Sequence, residues 1–284
     1  MTSPAPAPNP TQLNDFNISA PVFVAQTPYA DVWKVTRTDG SFAALKTYKR
    51  DMDNEGTGFD MLRHWNGIGA AQLYGRTDKA ALIEWLDGPS LGDIVRGGDD
   101  DGPTRALVEV ANILHASAPR PDVPLDTLDD WFADLFAATC TPDCPQSTKA
   151  TLHRAKSMAR ELLQDPAPQR ALHGDLHHDN IIRCPRGDIA FDAKGVIGNR
   201  HYEFASAFRN PLGAEDHVMR PETVIRRAQV WAAAFGTTPK ALLSWAAAHS
   251  ALSLSWTHNG VFGPDQTKDL RFIDTLFTCR DTIS

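Results

Sequence analysis

The sequence predicts an α+β chain in two lobes: a small five-stranded antiparallel sheet with one helix, then a larger and mainly helical lobe. Three observations predict it. Short alternating apolar runs, separated by turn residues, crowd the region from about 21 to 86. Beyond about residue 90 the apolar spacing changes to the helical repeat. One loop–strand–turn–strand unit, at 172–195, interrupts those helices.

The chain has 284 residues, enough to bury a substantial core, with 42% hydrophobic and 22% charged residues as in ordinary soluble enzymes. A net charge of -7 argues against nucleic acid or an anionic membrane as partner and suits a cationic ligand. The four cysteines, Cys140, Cys144, Cys184 and Cys279, make no disulfide framework and lack zinc-site spacing, so free thiols in a reducing cytoplasm are expected. No apolar run reaches the length of a membrane span.

Residues 1–20 carry prolines at 4, 6, 8 and 10 among small polar residues and are expected to form a flexible arm rather than a signal peptide. The small lobe is expected at 21–86 and the helical lobe at 87–284. Val22-Phe23-Val24, residues 32–36 and residues 42–46, with a turn at Asp39-Gly40, predict an antiparallel meander. Alternation puts Phe42, Ala44 and Lys46 on one face of the third strand. A helix follows in which Glu55, Phe59 and Leu62 share a face, although Gly56 and Gly58 each weaken it by about 1 kcal/mol relative to alanine. Residues 71–74 and 81–85, around a turn at Thr77-Asp78, complete the sheet. Leu86-Asp87-Gly88-Pro89 reads as the connection between lobes, and Ser90 with Asp93 as a capping pair. Helices are expected at about 104–118, 126–139, 147–164, 202–209, 221–235, 239–258 and 265–280, with Gly236 as a C-cap and Thr238-Pro239 as N-cap and first helical residue.

The chemistry lies in His173-Gly174-Asp175-Leu176-His177-His178-Asp179-Asn180, which runs through Ile181-Ile182, a turn at 184–187 and a second short strand to Asp192-Ala193-Lys194-Gly195. Phosphoryl transfer from ATP needs an aspartate to orient or deprotonate the attacking hydroxyl, and an amide with a second carboxylate to hold magnesium on the phosphates. Asp175 and Asn180 have the five-residue offset of the kinase catalytic loop, with Gly174 where that loop has arginine, and Asp192 follows on the next hairpin. Lys46 is expected on the α/β-phosphates, with Glu55 positioning it and Asp53 and Asp60 as rivals. His173 is expected to pack and to hold the loop.

This set of motifs resembles the aminoglycoside phosphotransferases, and most closely the streptomycin 6-phosphotransferase or aminoglycoside/hydroxyurea resistance kinase branch. Val32-Trp33-Lys34-Val35, residues 65–70, Asp192 to Gly198 and Ser255-Trp256 carry the likeness along nearly all of the chain from about residue 20. The resemblance implies a protein-kinase-like two-lobed fold and ATP- and Mg2+-dependent phosphorylation of a small-molecule hydroxyl, with streptomycin as the expected acceptor and a monomer or weak dimer as the expected state. It places the nucleotide against Val32, Ala44, Lys46 and the connection at Glu84 and Leu86, and gives Lys194 a phosphate contact. The connection at 26–31 has no glycine, in keeping with that family, but Tyr29-Ala30 departs from its small hydroxyl residues. A cationic acceptor calls for carboxylates and aromatic faces, and Asp130, Asp134, Glu203, Glu215, Asp216 and Trp256 are the candidates. The alternatives are a kinase of homoserine, choline or a ketosamine, a binding protein of the same fold, and a hydrolase holding metal on His173, His177, His178 and Asp179.

Overall fold

The computed structural model describes residues 7–27, 29–49, 56–116 and 122–283. Five strands, β1 (Ile18–Gln26), β2 (Ala30–Arg37), β3 (Phe42–Tyr48), β4 (Leu73–Arg76) and β5 (Ala80–Glu84), form one sheet in the order β1-β2-β3-β5-β4. Every neighbouring pair is antiparallel. The side-chain alternation divides the sheet. Trp33, Val35, Ala43, Leu45 and Leu82 make a small core on one face. The cross-strand register Val32↔Lys46 and Lys34↔Ala44 lines up the other.

Part of the expected arm is ordered structure. Residues Pro10–Asp15 form a helix with Asn9 and Gln12 in a reciprocal capping box and proline at its start, and β1 already begins at Ile18. Leu13 and Phe16 pack on the small core, which supplies the apolar contact that a proline-rich composition does not advertise.

After β5 the chain passes through 85–89 to the helix Leu91–Arg96, capped by Ser90 and Asp93 as the sequence indicated. The helices Leu128–Ala137, Gln146–Leu163, Pro221–Phe235 and Arg271–Thr282 gather around Pro239–Thr257, and Asp101–Ala116 packs on Pro221–Phe235. That central helix is apolar on nearly every side, which is why it is buried rather than laid on the surface. Trp231 and Trp245 are fully buried, each worth about 1.5–3 kcal/mol or more of transfer free energy. The expected helix at 202–209 is two short 3-10 turns, Arg200–Phe204 and Ser206–Arg209. Among the described residues no helix is long and apolar enough to cross a membrane.

The sheet is tied to the helical part through backbone. Ala71 N donates to Ala190 O (2.8 Å), Ala190 N to Gly69 O (2.9 Å), and Arg183 N to Pro89 O (2.9 Å). The hairpin Ile181–Cys184 and Gly187–Ala190 is thereby fixed against both the sheet side and the connecting segment.

Candidate active site

The loop after strand Gln169–Leu172 ends in a 3-10 turn, His178–Asn180, and leads straight into that hairpin. The loop is braced from inside. His173 is fully buried, stacks on Trp65, and bonds Phe191 O through Nε2 (3.0 Å) while Nδ1 accepts from Asp175 N (3.3 Å). Both bonds suit a neutral ring, and burial lowers its pKa, so His173 holds backbone rather than moving protons. Asn180 Nδ2 donates to Asp175 O (2.9 Å), which closes the five-residue spacing into a ring.

The Asp175 carboxylate is deep yet reachable, with 32% of its side chain exposed, and His177 Nε2 lies 3.6 Å from it. Burial pushes its pKa up, but the nearby His177 imidazole and the charge of Lys194 outweigh that and hold it well below the usual carboxylate range. Asp192 sits beyond the hairpin in the left-handed region (φ 58°). Its carboxylate meets Lys46 Nζ at 2.6 Å and Lys194 Nζ at 3.6 Å. Burial opposes ionisation there too, and Lys46 and Lys194 together override it. Residues 146 positions apart in sequence, Lys46 and Asp192, thus meet at one point. Glu55, expected behind Lys46, lies outside the described residues, as does its rival Asp53. Asp60 instead pairs with Arg63 and Arg76.

A sequence model of the aminoglycoside/hydroxyurea antibiotic resistance kinases matches residues 16–260. The chain belongs to that family. A streptomycin 3''-kinase of Klebsiella pneumoniae is 33% identical over 229 residues, 79% of this chain and 83% of that protein. A streptomycin 6-kinase of Streptomyces griseus is 27% identical over 175 residues, 60% of this chain and 55% of that one. In fold the chain is similar to an amicoumacin kinase solved with AMP-PNP and Ca2+, at a TM-score of 0.63 and 16% identity over 92% of this chain and 88% of that one. The protein is therefore a kinase that uses ATP to phosphorylate a hydroxyl of a small molecule. The hydrolase alternative fails on geometry as well. His173 faces Phe191, His177 turns Nε2 to Asp175, His178 lies against Trp231, and Asp179 pairs with Arg96, so among the described residues the four do not converge on a metal.

Of the acceptor candidates, Asp134 and Trp256 come together: Trp256 Nε1 donates to Asp134 Oδ2 (2.8 Å). Sequence reasoning missed what joins them to Asp175. Trp131 packs edge-on against Trp256 (5.8 Å between centroids) and Tyr202 (6.3 Å), and its ring lies beside Gly174. Tyr202 OH and His249 Nδ1 share a hydrogen bond (2.6 Å), and burial together with Arg209 depresses His249 to about 3, so its ring remains neutral. Trp131 lies in the helical pattern at 126–139 noted from sequence, but periodicity does not say which helix face meets the cleft.

The other candidates have different work. Asp130 closes the capping box of its own helix with Thr127. Glu215 accepts from Gly213 N (2.8 Å), and both it and Asp216 are exposed on the short helix Glu215–Val218, with no hydrogen bond or ion pair to the loop among the described residues. Glu203 is corrected outright. It is fully buried beneath the loop, where it accepts from His173 N (3.2 Å), Gly174 N (3.2 Å) and His115 Nε2 (2.7 Å), and no acceptor reaches it. Burial raises its pKa, but those donors prevail and lower it. Glu203 is thus the loop's anchor.

Glu203→Gln should therefore cost about 3–5 kcal/mol at neutral pH, since it leaves buried donors poorly matched. A carboxylate with a depressed folded pKa stabilises above its unfolded value and loses that contribution as pH falls through the folded one. The parent's stability should drop more steeply in acid than the variant's, and urea unfolding at several pH values measures both effects. Parallel stability–pH curves would remove Glu203 from this role.

On the nucleotide side, Val32, Ala44 and Lys46 share the face fixed by the β2–β3 register. Glu84 is not free to meet a nucleotide with its amide: Glu84 N donates to Gln72 O (2.8 Å), and its carboxylate binds Arg186 (2.8 and 2.5 Å). Arg186 also bonds Gly67 O and Ala70 O, which makes a single turn residue of the hairpin a clamp on the sheet. Leu86 is half-buried just beyond.

Proposed function

We propose that this kinase inactivates streptomycin or a close aminocyclitol relative by transferring the γ-phosphoryl of Mg-ATP to one of its hydroxyls. The carrying observation is the chain of contacts from Gly174, next to Asp175, through Trp131 and Trp256 to Asp134, with an ionised carboxylate beside one end and a second carboxylate with two indoles at the other. Guanidinium and ammonium groups bind such surfaces by charged hydrogen bonds and by stacking on indole faces. The 33% identical relative acts on the same class of molecule.

Asp175 orients the acceptor hydroxyl and takes up its proton as the phosphoryl arrives. Lys46 and Lys194 face the transferring charge, and Val32, Ala44 and Leu86 flank the adenine. Asn180 and Asp192 would hold magnesium. The fit is chemical: both offer oxygen, the donor this hard cation takes, and Asn180 uses its amide nitrogen on Asp175 O, which turns its oxygen away from that bond. Two protein oxygens suffice where phosphates complete the coordination, and the metal would neutralise charge developing on them. Four free cysteines agree with a cytoplasmic site of action.

The test is ADP release on adding streptomycin, followed by Asp134→Asn. That change keeps an acceptor for Trp256 but removes a charge worth about 1.5–3 kcal/mol in a hydrogen bond, so KM for streptomycin should rise about tenfold or more. The difference should shrink as salt rises. No streptomycin-dependent ADP release, with ready turnover of an uncharged alcohol, would sink the antibiotic reading.

A further inference from the structure

Asp179 precedes the proposed metal ligand Asn180, and its carboxylate meets Arg96 and Gly92. It lies against the first turn of helix Leu91–Arg96. Its Oδ1 is 1.9 Å from where a Cβ on Gly92 would stand, so that residue can carry no side chain while the carboxylate is there. Four residues on, and so on the same helix face, Arg96 reaches over the same oxygen: Nη2 is 2.8 Å from Asp179 Oδ1. The guanidinium is itself fixed, by Asp93 Oδ1 (2.8 Å) and Leu212 O (2.9 Å). Asp93 in turn caps its own helix through Ser90. Gly92 forms the floor and Arg96 the roof of a receptacle one carboxylate wide.

The pair is partly exposed, 33% for Arg96 and 27% for Asp179, and pairs of that kind contribute little to stability. Its geometry has more consequence than its energy. The 3-10 turn His178–Asn180 is three residues long, with its start held by Asp179 N on His177 Nδ1 (3.2 Å). Fixing the Asp179 side chain fixes the rotation of the turn, and with it the direction of the Asn180 amide. The helix that supplies the receptacle begins just after the segment leading from β5, so the nucleotide side and the metal side of the site share one brace.

We infer that Arg96 and Gly92 lock the Asp179 carboxylate so that Asn180 presents its oxygen to the nucleotide-bound metal, which makes Arg96 and Asp179 positioning residues for magnesium. This rests on the metal role of Asn180 proposed above. Arg96→Met, Asp179→Asn and Gly92→Ala attack the same contact from three sides, the last leaving both charges in place. Calorimetry of a non-hydrolysable ATP analogue, titrated with and without Mg2+, should show the Mg-dependent part of binding weakened about five- to tenfold in each variant. Metal-free nucleotide binding should stay near the parent's in all three, and melting temperature in Arg96→Met and Asp179→Asn, whereas Gly92→Ala also crowds Pro211 Cβ (3.0 Å) and should melt lower. The Arg96→Met/Asp179→Asn double variant should be no worse than either single one, because one contact is lost only once.

Unchanged Mg-dependent binding, equal loss of metal-free binding, or additive losses would each overturn the inference. Asn180→Ala separates the two readings. If it loses Mg-dependent binding while the three variants keep it, the brace is refuted and the metal site stands. If Asn180→Ala itself binds Mg-nucleotide as the parent does, the metal reading falls, and the brace falls with it.

Discussion

Asp175→Asn should lower kcat by about 10²- to 10⁴-fold, the usual worth of a positioned proton acceptor, with little change in nucleotide affinity. The substitution keeps the shape of the side chain. The backbone bonds of residue 175, to His173 Nδ1 and from Asn180 Nδ2, do not involve the carboxylate and so survive. What disappears is the negative charge that His177 and Lys194 keep ionised against the effect of burial. An amide can still accept a hydrogen bond from the acceptor hydroxyl, so KM for the acceptor should move less than kcat. Because the carboxylate titrates well below the ordinary range, the parent's kcat should also stay level as pH falls through 5 and 4, for as long as the protein remains folded. Single-turnover and steady-state rates for both proteins measure this. Near-normal turnover by the variant would remove Asp175 from the chemistry.

How much of this was legible in the chain depends on the range of the interaction. The five-residue spacing from Asp175 to Asn180 is local, and the structure closes it with one hydrogen bond. The β2–β3 register follows from alternation, which put Ala44 and Lys46 on one face before any partner strand was known. The caps at Ser90 and Thr238 are equally local and appear as read. Glu203 shows the limit. A glutamate in the helical lobe of a kinase expected to take a cationic acceptor invites an acceptor role, and only its burial beneath His173 and Gly174, thirty and twenty-nine positions earlier, reveals an anchor. Trp131, Tyr202 and Arg186 carry no such signal in the sequence for the same reason, since their partners come from other elements. The ordered helix at Pro10–Asp15 was hidden by the opposite effect, a composition that suggested an arm where Leu13 and Phe16 had a core to join.

Gly58→Ala should damage the enzyme although it favours the helix. By propensity alone the change would stabilise Gly56–Trp65 by about 1 kcal/mol. The structure reverses that expectation. An added Cβ would stand 1.8 Å from Ala193 O and 2.8 Å from its carbonyl carbon, and backbone cannot step aside as the end of a long side chain can. The neighbouring contact closes off an easy retreat, because Thr57 Oγ1 donates to Lys194 O (2.7 Å) in the same loop. The loop must then shift away from the helix and carry Asp192 and Lys194 with it, one residue either side of the collision. Displacing groups proposed to face the phosphates by about 1 Å can cost on the order of 10²-fold in rate, so kcat/KM for ATP should fall about 10- to 100-fold. Overpacking of this kind should also cost about 1–3 kcal/mol of stability. Gly56→Ala is the matched control: its Cβ would meet only Arg76 Nη1, at 3.8 Å, so it should leave kinetics near the parent's and melting temperature equal or slightly higher. Steady-state kinetics at varied ATP and thermal unfolding distinguish the two variants. Equal behaviour at positions 56 and 58 would mean that the helix and the Asp192 loop are not held together by this contact.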